Sequence, residues 1–309
     1  MTLPAFYVGC DVSKNVIDFY DASTGRFDTI DNTNKALMRF LKRFKDGGAI
    51  IAFEATGAYG DTLRRCLQRA QVSALQINPL RARRFAQSRG KHAKTDRIDA
   101  RLLADMAERY ELQPNTQYCE HQEKLKALIV RRDQLVEQRA SELKRLKQCH
   151  DPRVAKSLRS AIERLGREIA AFERMIDTAL TETPAFADKA DLLTTIPGVG
   201  KAVAAVLVAL LPEAGHTNRR AIAALTGLAP YSADSGQKKG YRAIAEGRGR
   251  VRRALYMAAL ASIRTQSRFA QTYRHLIAKG KAPKLALIAV ARKIAVTLNA
   301  MLKANKPFK

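Results

Sequence analysis

FYVGCDVSKNVIDFYDAS, residues 6 to 23, reads as two short apolar strands joined by a polar Ser13-Lys14-Asn15 turn, and RFDTIDN supplies a third strand just beyond it. The result is a β-meander. Working outward, the chain continues with a helix bearing Leu37, Phe40, Leu41 and Phe44, a strand AIIAFEATG (49 to 57), and a helix through Leu63 and Leu67. A strand VSALQIN and helices over residues 80 to 110 follow. Strands alternating with helices after a meander predict an α/β layer fold with a mixed sheet.

The ribonuclease H-like architecture has this element order. From His121 the pattern changes to helix alone. Residues 123 to 148 place apolar side chains at Leu125, Leu128, Leu135, Leu143 and Leu146, and Pro152 interrupts before a second segment. In that segment Leu158, Ile162, Leu165, Ile169, Phe172, Ile176 and Ala179 step alternately by four and three, which maintains an apolar seam facing another helix. The expectation is a helical hairpin that projects and dimerises. Residues 191 to 309 read as wholly helical, punctuated by Pro197, Pro212, Pro230 and Pro283. The chain is thus α/β plus all-α, divided at 1–115, 116–183 and 184–309.

Composition narrows the function. The 309 residues carry 55 Lys+Arg against 29 Asp+Glu, a formal charge of +26, and so large an imbalance costs self-repulsion unless a polyanion neutralises it. Nucleic acid is the expected partner. Residues 191 to 309 alone hold 21 basic and 4 acidic side chains, so this third should make most phosphate contacts. Cys10, Cys66, Cys119 and Cys149 form no CxxC pair and read as reduced thiols of a cytoplasmic protein. No secretory signature opens the chain, and the apolar run Ala202 to Leu211 is about half the roughly 20 residues that span a bilayer. A membrane role is not expected.

Four acids stand out from this basic background. In KTDRIDA, residues 94 to 100, a helix starting near Thr95 would carry Asp96 and Asp99 on one face, although two acids at a helix start also suit the helix dipole. Asp11 and Glu54 each end an apolar strand, where a side chain is delivered to the sheet edge. If the four converge, their repulsion calls for divalent cations, and hard oxygen ligands select Mg²⁺ or Mn²⁺. Two such ions can hold the attacking and leaving oxygens of a phosphodiester.

Two later motifs point to phosphate as well. IPGVGK, between apolar helical runs, is similar to a helix-hairpin-helix, in which Gly198, Gly200 and Lys201 would bring a helix start close to a backbone phosphate. Its plain alternative is a Pro-Gly helix connection. Further on, a polar loop with Ser232 and Ser235 precedes Lys238, Lys239, Arg242, Arg248, Arg250, Arg252 and Arg253, which are candidate nucleic-acid contacts. A serine beside glycine in so cationic a loop is where an oxygen nucleophile could attack a phosphate whose developing charge Arg stabilises.

GCDVSK, FEATG, KTDRIDA, IPGVGK and PYSADSG, in this order, resemble the transposases of the insertion sequence 110 family and the related Piv and MooV DNA invertases, over nearly the whole chain. The resemblance implies a RuvC-like first domain, a coiled-coil insertion and a helical transposase domain. It implies that Asp11, Glu54, Asp96 and Asp99 form an acidic tetrad binding Mg²⁺, and that Ser235, directly before Gly236, becomes covalently joined to DNA. Guidance by a structured noncoding bridge RNA is implied for the transposases, as are tetramers in which the acids of one protomer meet the serine of another. Ala233 departs from the family pattern, since many relatives carry a polar residue there. Three rival readings are a Holliday-junction nuclease using water, a sugar-kinase or actin-like ATPase, and a noncatalytic nucleic-acid binder. The ATPase lacks support, because no second phosphate-binding glycine loop follows and a charge of +26 serves no small-molecule kinase.

Overall fold

A computed structural model describes residues 6–45, 47–54, 57–89, 96–114, 119–231 and 243–308; for Ala58 and residues 96 to 98 it describes the backbone alone. The chain divides into two compact units, Met1–Cys119 and Glu120–Lys309.

In the first unit, β1 (Phe6–Val12), β2 (Val16–Asp21) and β3 (Arg26–Asp31) form the expected antiparallel meander. Helix α1 (Asn34–Leu41), capped by the Thr33 hydroxyl, leads to β4 (Ala49–Glu54), which adds to β1 in parallel. After α2 (Gly60–Arg69), β5 (Ser73–Ile77) adds in parallel to β4, giving the mixed order β3-β2-β1-β4-β5. Two helices, α3 (Pro79–Ser88) and α4 (Asp96–Arg109), complete the unit. This mixed sheet is consistent with the ribonuclease H-like expectation.

The period-two alternation of strands sorts the core onto two faces. Val8, Cys10, Val12, Ile51 and Phe53 meet Leu37, Leu41, Leu63 and Leu67 of α1 and α2. Tyr7, Ile50, Ala52 and Ile77 meet Phe85, Leu102, Leu103 and Met106 of α3 and α4 on the opposite face. Because β4 is buried on both faces, it reads as a continuous apolar run.

The second unit opens with α5 (Glu120–Lys147) and α6 (Pro152–Thr181), the second capped by Asp151 and started by Pro152. Ile162, Leu165, Ile169, Ile176 and Ala179 are buried, so the seam read from the sequence exists. Leu165 and Ile169 cluster with Leu135 of α5, within one chain. On α5 the fit is poorer, since Ile129 is fully buried where Leu128 was expected to be, and Leu143 is exposed.

Next come α7 (Pro184–Thr194), α8 (Lys201–Leu210) and α9 (Arg219–Leu225). The expectation of helix alone fails here: β6 (Pro230–Tyr231) pairs antiparallel with β7 (Ala243–Ile244), a ladder too short to carry any strand period. Helices α10 (Gly249–Ser262), α11 (Arg268–Ala278) and α12 (Pro283–Ala304) close the chain. Helix α12 is long and apolar enough to cross a membrane, yet Val290, Ala291, Ile294, Ala295 and Leu298 are fully buried within this unit. It is the unit's core helix.

Candidate active site

In the first unit one close backbone contact seats a helix on the sheet. A Cβ on Gly9 would fall 1.9 Å from the Ala100 carbonyl oxygen and 2.7 Å from the Ala104 nitrogen, so only glycine lets the α4 backbone lie on β1. Asp99 directly precedes Ala100 and is half-buried at this crossing. Asp11 stands two residues past Gly9, hence on the same face of the sheet. Cys10 is in register with Phe53 in the neighbouring strand, which makes Asp11 and Glu54 the next residue on each strand, both turned from the α1–α2 core toward α4.

Strand register and one glycine therefore bring Asp11, Glu54 and Asp99 to one face at one end of the sheet. Asp96 is the first residue of α4, one turn before Asp99, and its side chain lies outside the described residues. Among the described residues, no three Asp, Glu, His or Cys side chains come close enough to hold a metal ion. The donors at this end are nonetheless all carboxylates, the oxygen chemistry that suits a hard divalent cation and no soft one.

Two neighbours escaped the sequence reading. Asp18 is the antiparallel register partner of Asp11, and its carboxylate accepts a hydrogen bond from the Thr29 hydroxyl of β3. The symmetry of the strands about the Ser13–Asn15 turn was the signal that could have found it. Asn32, after β3, donates its backbone N–H to the Asn15 carbonyl (2.8 Å) and its Nδ2 to the carbonyls of Ser13 (2.9 Å) and Tyr59 (3.1 Å). It thus ties the turn after Asp11 to the segment after Glu54. Next to Asp11, burial and then the aspartate's charge push the Cys10 thiol well above its ordinary range, so Cys10 stays protonated and is no nucleophile.

In the second unit, α7 and α8 flank the IPGVGK connection. Gly198 has φ 90°, and a Cβ there would fall 2.3 Å from the Ala258 carbonyl oxygen and 2.6 Å from the Ser262 nitrogen. Its smallness therefore serves contact with α10. Gly200, the N-cap of α8, has open space where a Cβ would stand, and Lys201 beside it is exposed. These two residues are the part of the motif that faces solvent at a helix start.

The arginines of α10 are already engaged. Arg248 donates to both carboxylate oxygens of Glu213 (2.5 and 2.6 Å) and to the Leu210 carbonyl (2.8 Å). The Glu246 carbonyl accepts from Arg252 at 2.6 Å. Asp133 and Glu137 of α5 pair with Arg250 (3.3 Å) and Arg253 (3.0 Å). Ser232, Ser235, Lys238, Lys239 and Arg242 lie outside the described residues.

Comparison with known proteins finds two family matches, the first of which extends past the first unit into α5. A transposase family of the DEDD, IS110 type matches residues 8–151, and the Transposase IS116/IS110/IS902 family matches residues 190–274. The pilin gene-inverting protein of Moraxella bovis is 28% identical over 321 aligned positions, covering 98% of this chain and 97% of its own length. Its counterpart from Moraxella lacunata is 27% identical with the same coverage. An insertion element IS110 protein of 43.6 kDa from Streptomyces coelicolor is 31% identical over 157 residues, 48% of this chain and 36% of that protein. With one family matched across both units, the chain belongs to the IS110 family of transposases and is an enzyme of DNA recombination.

Proposed function

We propose that the chain cuts and rejoins DNA strands through a covalent phosphoserine, using Asp11, Glu54, Asp96 and Asp99 to hold Mg²⁺ or Mn²⁺ and Ser235 as nucleophile. The observation that carries this reading is the Gly9–Ala100 contact, which puts the start of α4 over the strand ends that bear Asp11 and Glu54. When bound, the cations supply charge stabilisation to a phosphodiester under attack. The carboxylates bind and space them. In the cutting step the Ser235 hydroxyl gives up its proton as its oxygen bonds to phosphorus, the bond from phosphorus to the sugar oxygen breaks, and that oxygen takes up one proton in turn and leaves as a strand hydroxyl. Rejoining runs in reverse: a strand hydroxyl displaces Ser235, so no phosphodiester is lost to water.

The three stretches 1–115, 116–183 and 184–309 then serve as the acidic catalytic part, a coiled-coil assembly element and the serine-bearing part. A helix-hairpin-helix role for Gly200 and Lys201, a bridge RNA guide and a tetramer with shared sites belong to the same proposal, acting in the bacterial cytoplasm. A second reading, DNA inversion without a guide, is favoured by the end-to-end similarity to the pilin gene-inverting proteins. Sequencing RNA that copurifies with the chain separates the two.

The central test is a denaturing gel of end-labelled DNA incubated with the chain and Mg²⁺. A protein-linked strand should appear, and should vanish in both Ser235→Ala and Asp11→Asn. Undiminished cutting by Ser235→Ala would instead mean that water is the nucleophile, as in a junction nuclease.

A further inference from the structure

After Glu246 the chain holds fifteen Lys and Arg and neither Asp nor Glu. These cations do not all stand alike. Those at the start of α10 are occupied by Glu213, Asp133, Glu137 and backbone carbonyls, as described above. By contrast Arg264, Arg268, Arg274, Lys279, Lys281 and Lys284 are exposed, and among the described residues none of them forms an ion pair.

Their arrangement is ordered by α11. Phe269 and Ala270 bury one side of this helix, while Arg268 and Lys279, eleven residues apart, fall on nearly the same line of the opposite side. Arg274 is exposed too, about 120° round the helix from that line. Lys279 and Lys281 bracket Gly280 in the turn to α12, where nothing stands within 4 Å of the place a Cβ would occupy. The turn residues themselves are exposed. Lys284 follows in the first turn of α12.

We infer that the exposed side of α11 and the turn into α12, rather than the start of α10, is where this unit grips the sugar-phosphate backbone of duplex DNA. The inference rests on the recombination reading and deepens it. Three physical points support it. Cations already paired with carboxylates gain little from a phosphate, whereas exposed single cations release a condensed counterion for each phosphate they meet. The stretch from Arg268 to Lys279 is about 16 Å long at 1.5 Å per residue, which spans about five phosphates of one strand at 3.4 Å each. A field of one sign without interspersed acids also favours a polyanion over a protein surface of mixed charge.

Binding of a labelled DNA duplex of arbitrary sequence, followed by fluorescence anisotropy across a KCl series, tests this. The triple variant Lys279→Ala, Lys281→Ala, Lys284→Ala should lower the slope of log affinity against log salt by about 0.9 for each phosphate left without its cation. A control triple, Lys144→Ala, Lys147→Ala, Lys156→Ala, removes the same charge from the far end of the α5–α6 hairpin and should change the slope by less than about 0.9 in all. All six lysines are exposed, so unchanged circular dichroism and melting should confirm that both variants fold. Equal slopes in the two triples would overturn the inference and leave the recombination reading standing. A loss of binding to structured RNA with duplex binding intact would also overturn it. If the parent chain fails to bind duplex DNA at all, the recombination reading falls together with it.

Discussion

The sheet end of the first unit and the start of α10 in the second hold charge in opposite ways. At the sheet end, acids are placed by backbone: strand register sets Asp11 beside Glu54, and the Gly9–Ala100 approach sets the start of α4. At α10, guanidinium groups are placed by side chains, each reaching a carboxylate or a carbonyl of another helix or loop. Backbone placement is stiff, because moving one acid means moving a strand or a helix. Side-chain placement is soft, and each exposed pair contributes little. Chemistry that needs fixed spacing belongs on the first kind of support, and adaptable packing on the second.

Three substitutions sharpen this difference, the largest effect first. Gly9→Ala puts a methyl group against a carbonyl that cannot yield without shifting α4, and should cost about 3 kcal/mol of first-unit stability in urea unfolding, with strand cutting lost. Arg248→Ala removes a two-pronged bond to Glu213 whose side chains are 39% and 37% exposed, and should cost about 1.5 kcal/mol in the second unit by the same measurement. Arg253→Ala, in a pair 67% and 64% exposed, should shift stability by less than about 0.5 kcal/mol. Should Gly9→Ala melt like the parent chain while Arg253→Ala unfolds readily, the contrast between stiff and soft support is wrong.

The same contrast explains what the sequence disclosed. The meander, Glu54 at the end of β4 and the α6 seam follow local periods of two and three-to-four residues, so they could be read without knowing the fold, whereas Asp11, expected to end β1, lies one residue inside it. Gly9 could not, because the atoms that forbid a Cβ there belong to a helix 91 residues on. Nor could the state of the α10 arginines, since Arg253 is paired with a glutamate 116 residues earlier. Gly198 was read as room for a phosphate, and its room is taken by α10. On α5 the expected leucines and the buried residues part company because the outer half of that helix is mostly exposed. The two-residue strands β6 and β7 carry no pattern at all.

The α5–α6 hairpin is linked to α10 by two ion pairs partway along α5, and beyond them α5 packs on α6. Asp133 and Glu137 make that soft link, and the ten residues that follow on α5, to Lys147, carry no ion pair to α10 among the described residues. Ten residues of helix are a lever about 15 Å long at 1.5 Å per residue, so a tilt of about 15° at the link sweeps the far end through about 4 Å. Small rearrangements around the α10 arginines would be magnified into a displacement as large as the width of a side chain.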